Sequence, residues 1–173
     1  MKNTIAILTL LLTACTTSIK VEESAPEENE VHTLLDDWHK AASEANFERY
    51  FGYFENDSSI FMGTDAKERW TIAEFKPWSK PYFDRGKAWS FTAEERFVYF
   101  SEDGKTAWFD EVLNTPNLGP CRGTGVLTHT TEGWRIAHYN LTVPVPNEIV
   151  RDVMQQIDSV LNPPVDTTQL QNE

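Results

Sequence analysis

Trp89-Ser90-Phe91-Thr92-Ala93-Glu94-Glu95-Arg96-Phe97-Val98-Tyr99-Phe100 is the stretch on which the fold turns. Its odd positions Trp89, Phe91, Ala93, Phe97 and Tyr99 are apolar, with Glu95 the one break, and its even positions are mostly polar up to Arg96. Period two of this kind predicts a strand with one face in a core and the other in water. Asp103-Gly104 marks a turn, and 105–114 returns as a second strand. A third covers 121–130, and Glu132-Gly133 turns it into a fourth over 134–143.

Upstream the period is helical. Val31, Leu34, Leu35, Trp38, Ala41, Ala42 and Ala45 recur at steps of three and four, the spacing of one helix face. Asn46 is placed to cap a second helix carrying Phe47, Tyr50, Phe51 and Phe54. A short strand over 59–64 ends at Gly63, and Thr71-Ile72-Ala73-Glu74 matches a capping box that starts a third helix. Pro77 and Pro81 predict that this helix is short or kinked. After Pro144 and Pro146, Asn147 is read as the cap of a last helix bearing Ile149, Val150, Val153, Ile157, Val160 and Leu161. Helices followed by an antiparallel meander give an α+β class, and 173 residues suit one domain, read as 29–161.

Charge and composition narrow the partners. Acidic side chains outnumber basic ones 27 to 15, with no cluster of Lys or Arg, so nucleic acid is excluded as a partner. Cys15 and Cys121 cannot form a disulfide framework, and four scattered histidines make no metal cluster. Phosphate-binding glycine loops, HExxH and EF-hand patterns are absent from the sequence, so no metal or cofactor is expected.

The N-terminus carries an address. Lys2 is followed by an apolar run over 5–12 that only Thr9 interrupts, shorter than the ~20 residues of a membrane span and suited to a signal core. Leu12-Thr13-Ala14-Cys15 resembles the lipobox of bacterial lipoproteins. The resemblance implies removal of 1–14 and lipid on Cys15, which would hold the chain on a membrane. Thr16 in place of Asp implies the outer membrane of a bacterial envelope, facing the periplasm or the cell surface. The acidic stretch 15–28 reads as a disordered tether, and 162–173 as a polar tail.

The order of elements resembles the NTF2-like, or SnoaL-like, cone. The motifs that carry the resemblance are Phe61-Met62-Gly63-Thr64-Asp65 with Glu68-Arg69-Trp70, Ala107-Trp108-Phe109-Asp110-Glu111, Cys121-Arg122-Gly123-Thr124-Gly125-Val126-Leu127, and Gly133-Trp134-Arg135-Ile136-Ala137-His138-Tyr139. The family implies helices packed on a curved antiparallel sheet that encloses a pocket, and a homodimer. It implies no single activity.

Within that frame, Asp110-Glu111 sits inside an apolar strand, where neighbours point to opposite faces, so one of the two enters the pocket. Parity does not choose; the assignment here is Asp110, either as a general base or as half of an ion pair with Arg122 or Arg69. His138 shares a face with Trp134, Ile136 and Asn140, while Tyr139, Leu141 and Val143 form the alternative face. His138 is the second catalytic candidate, whereas His39 and His129 are read as exposed. Trp70, Trp108, Arg122 and Tyr139 are the candidate ligand contacts, with Trp38, Trp78 and Trp89 as further aromatic lining for an apolar or aromatic small molecule. Cys121 reads as a small buried hydrophobe. The expected function is a lipid-anchored domain that binds a small molecule or a protein without turning it over. The alternatives are a cofactor-independent isomerase or dehydratase using the pocket carboxylate and His, and a dimeric scaffold with a vestigial pocket.

Overall fold

A computed structural model describes residues 26–163; the signal segment 1–14, Cys15, most of the proposed tether and the tail from 164 lie outside the described residues. Helix α1 spans Pro26–Ser43, already inside the stretch read as tether, and α2 spans Phe47–Gly52. Strands β1 (Ile60–Met62) and β2 (Arg69–Thr71) form a small hairpin, and α3 (Ile72–Asp84) follows directly. The meander is β3 (Thr92–Phe100), β4 (Thr106–Thr115), β5 (Gly119–Thr130) and β6 (Gly133–Thr142), with α4 (Val150–Leu161) at the end. The six strands make one sheet in the order β2-β1-β6-β5-β4-β3. Only the β1–β6 pair is parallel, with Phe61 opposite Tyr139.

The helical stripe of α1 forms one wall of the core. Val31, Leu35, Trp38, Ala41 and Ala42 are buried, and burial of each large apolar side chain contributes about 1.5–3 kcal/mol. The Asn46 side chain accepts the Arg49 amide at 3.2 Å and caps α2, as its position in the sequence predicts. At α3 the Thr71–Glu74 capping box is formed in both directions. The two prolines do not stop this helix, which runs on to Asp84. Pro77 and Pro81 are four residues apart, so both fall on the exposed face, opposite buried Phe75, Ser79 and Phe83. The carbonyls they leave unbonded therefore face water rather than core. Beyond β6, the start of α4 also differs from expectation: its cap is Ile149, with no side-chain cap bond, and Asn147 lies outside the helix.

Two one-residue insertions in the sheet correct the reading of faces. Between β3 and β4, Ala93 pairs with Leu113 but Glu95 pairs with Val112, which leaves Glu94 as the extra residue of a β-bulge. The face of β3 changes there. Arg96, Val98 and Phe100 turn inward, and Phe97 and Tyr99, predicted to be core, stand about half exposed on the outer face. The second bulge leaves Ala137 unpaired, since Leu127 pairs with Ile136 and Val126 with His138. Trp134 and Ile136 before it and Tyr139 and Leu141 after it all point into the core. Trp134 and Ile136 from one row and Tyr139 and Leu141 from the other are thus both inward, whereas Val143, past the end of β6, is exposed.

Candidate functional site

The inner face of β4 carries Ala107, Phe109, Glu111, Leu113 and Thr115, all buried. Glu111 is the acid inside the cone, fully shielded from solvent, and Asp110 lies on the outer face. The assignment of Asp110 to the pocket is therefore corrected: its partners Phe97 and Thr124 share the outer face with it. Neither Arg122 nor Arg69 neutralises the buried acid. Arg96 does so, donating from Nε to Glu111 Oε2 at 2.9 Å, while Nη1 reaches α1 at the His32 carbonyl (3.2 Å) and Asp36 Oδ1 (2.9 Å).

The other oxygen of Glu111 is equally occupied. His39 Nε2 lies 2.9 Å from Oε1, and the Tyr139 hydroxyl donates to the same oxygen at 3.3 Å. Burial pushes the Glu111 carboxyl upward and is the largest single influence on it. The hydrogen bond and charge of His39, with the charge and hydrogen bond of Arg96, together outweigh that push and hold the group below the ordinary carboxylate range. Tyr139 moves the other way, its phenol raised by burial and by the adjacent carboxylate. Gly123 lies opposite Glu111 on β5, where an added Cβ would stand 2.5 Å from the Tyr139 hydroxyl and 2.6 Å from Glu111 Oε1. This glycine admits the neighbouring side chains rather than a ligand.

A separate space opens beside the β1–β2 hairpin and α3. A cleft of about 250 Å³ is walled by Phe61, Trp70, Phe75, Trp78, Trp89 and Phe91, with Leu118 and Leu141 adding to its apolar surface. The rings pack on one another; Trp70 and Trp78 lie 4.6 Å apart, Phe61 and Phe75 4.1 Å. Glu68 is the one charged side chain in the lining. It is set by the turn between β1 and β2: the Gly63 amide donates to the Glu68 carbonyl (2.8 Å), and the Asp65 amide to Glu68 Oε2 (3.1 Å). A Cβ on Gly63 would fall 2.3 Å from Oε2, so the glycine vacates the space that the carboxylate fills.

Of the residues singled out in the sequence, Trp70, Trp78 and Trp89 meet in this cleft. Tyr139 sits behind it, its ring stacked 5.7 Å from Phe61, with its hydroxyl turned to Glu111. Trp108 is on the outer sheet face, stacked 5.9 Å from Tyr99 and 45% exposed, because its even position puts it opposite Phe109. Arg122 is exposed on the same outer face. His138 is half-buried, pairs with Ile60 and Val126, and has its pKa lowered by burial and then by the charge of Arg69. It does not join Glu111. Trp38 is core, in edge contact with Tyr139 at 4.7 Å, and Cys121 is buried with its thiol pKa raised by burial.

His39, expected from the sequence to be exposed, is buried against Glu111, and Arg96 and Glu68 carry roles that the sequence does not assign to them. His39 was legible, since it lies four residues beyond Leu35 and three before Ala42, on the buried stripe of α1. Arg96 was not, because the bulge at Glu94 reverses its face.

A search against curated proteins finds no match. Similar solved structures include a domain of unknown function with a cystatin-like fold from Nostoc punctiforme, at 17% identity and a TM-score of 0.60, covering 86% of this chain and 93% of that one. An NTF2-like protein of unknown function from Pseudomonas putida matches at 14% identity and 0.57, over 70% and 89% of the two chains. A candidate dehydratase of the NTF2-like family from Streptomyces avermitilis matches at 13% and 0.55, over 69% and 97%. At such identities the likeness is one of fold. The SnoaL-like domain profile matches residues 31–146, from the first buried residue of α1 to just past β6. With helices packed on a curved six-stranded sheet over that same span, the chain belongs to the SnoaL-like domain family, on the NTF2-like fold.

Proposed function

We propose that this domain binds a small, largely apolar molecule in the aromatic cleft and does not turn it over. The observation that carries this reading is the separation of the cleft from the buried acid. The cleft lining is mostly rings and leucines, with Thr64, Asn117 and the carboxylate of Glu68 as its polar side chains, and it includes no His, Arg, Lys or Tyr. Glu111 has both oxygens engaged by Arg96, His39 and Tyr139, is fully buried away from the cleft, and is held in its ionised form. The enzymatic reading keeps one observation in its favour, the 2.9 Å contact of His39 with Glu111. Proton transfer there would require a substrate to displace Tyr139 or Arg96, both held within the packed core.

Two further features complete the proposal. Lipid on Cys15 would hold the domain at the outer membrane of a bacterial envelope, and labelled palmitate should be incorporated by the native chain but not by Cys15→Ser. The outer sheet face, with Phe97, Tyr99, Trp108 and Val112 exposed, is suited to a homodimer contact. The binding reading is tested by native mass spectrometry on protein purified gently from its own host. A reproducible added mass on each subunit is the expected result. Bare subunits that convert a carbonyl or hydroxy compound would overturn it in favour of catalysis.

A further inference from the structure

The cleft also has a sign. An apolar cavity suited to a neutral molecule needs no charge in its wall, and placing a carboxylate there costs hydration unless something cationic replaces it. Glu68 is that carboxylate. It is half-buried, is fixed by the Asp65 amide on Oε2, and forms no ion pair among the described residues. The neighbouring cations do not supply one: Lys67 and Arg69 are both exposed and neither lines the cleft. Oε1 therefore remains free to accept from a ligand. The same lining holds the rings of Trp70, Trp78 and Trp89, with the uncharged polar side chains of Thr64 and Asn117; aromatic rings attract positive charge at their faces and bury an apolar body.

We infer that the cleft selects an organic ammonium ion, an apolar or aromatic body with one positively charged nitrogen that meets Glu68 while the body packs on the tryptophans. A volume of about 250 Å³ limits that body to roughly one ring and a short chain. The net charge of the chain, −12, favours the approach of a cation and opposes that of a carboxylate ligand. This inference rests on the binding reading above and adds the ligand class to it.

The test is titration of the purified full chain in detergent, read by tryptophan fluorescence, with three probes that share a phenylethyl body: 2-phenylethylammonium, neutral 2-phenylethanol and anionic 3-phenylpropanoate. The ammonium is expected to bind roughly tenfold more tightly than the alcohol, in line with a charge-assisted hydrogen bond, and the anion not at all. In Glu68→Gln the preference for the ammonium over the alcohol should disappear, with a circular dichroism spectrum that matches the native chain showing that the variant is folded. Equal binding of ammonium and alcohol to the native chain overturns the ligand class and leaves the cleft as a binding site. So does a preference that survives in Glu68→Gln. If none of the three probes binds at millimolar concentration, the cleft reading falls together with the ligand class.

Discussion

Two carboxylates separated by one aromatic layer behave in opposite ways. Glu111 lies deep in the cone with a guanidinium, an imidazole and a phenol on its oxygens. Glu68 lies at the cleft with one backbone amide on Oε2 and no ion pair among the described residues. Between them stand Phe61 and Tyr139, stacked ring on ring. The first acid is part of how the sheet and α1 are joined, since Arg96 bridges Glu111 to His32 and Asp36. The second contributes little to the fold and retains capacity for a partner. In this domain, burial alone does not identify the reactive carboxylate; unused hydrogen-bonding capacity does.

The comparison breaks most readily at Glu111. Glu111→Gln removes the buried one of the two carboxylates that Arg96 pairs with and leaves only exposed Asp36, and a loss of about 3–5 kcal/mol is expected in chemical denaturation. A loss below about 1 kcal/mol would show that Asp36 alone suffices for Arg96. Next in size is Gly123→Ala, whose methyl would meet both Glu111 and Tyr139. Overpacking of this kind costs about 1–3 kcal/mol, and the Tyr139 hydroxyl should be displaced from Oε1, measurable as a change in tyrosine absorbance.

The pH response sharpens the same contrast. Because the folded pKa of Glu111 is depressed, its contribution to stability is complete above the unfolded value of about 4.3 and is lost as pH falls through the lower folded value. The stability gap between the native chain and Glu111→Gln should thus narrow below about pH 4. A gap that widens on acidification would contradict the ionised state assigned here. The smallest effect is predicted at the cleft. Glu68→Gln, at a half-buried side chain with one hydrogen bond, should change stability by less than about 1 kcal/mol while altering ligand binding.

Much of the architecture is visible in the residues themselves. The stripe of α1, the Asn46 cap, the Thr71–Glu74 box and the turns at Asp103-Gly104 and Glu132-Gly133 are local signals, and each forms as the local chemistry requires. The cleft was partly legible for the same reason, since Trp70, Trp78 and Trp89 are conspicuous wherever they fold. What the sequence could not decide is which side of the sheet each meander residue faces. A strand alternates with period two, so one inserted residue exchanges the faces for everything beyond it. Glu94 and Ala137 are such insertions, and nothing in their own chemistry marks them. They send Arg96 inward to meet Glu111, turn Phe97 and Tyr99 outward, and bring Trp134 and Ile136 from one apolar row of β6 and Tyr139 and Leu141 from the other into the core. The sequence by itself determined the elements and their order. Only the pairing of strands decided which carboxylate is enclosed and which is left available, because that depends on register between residues distant in the chain.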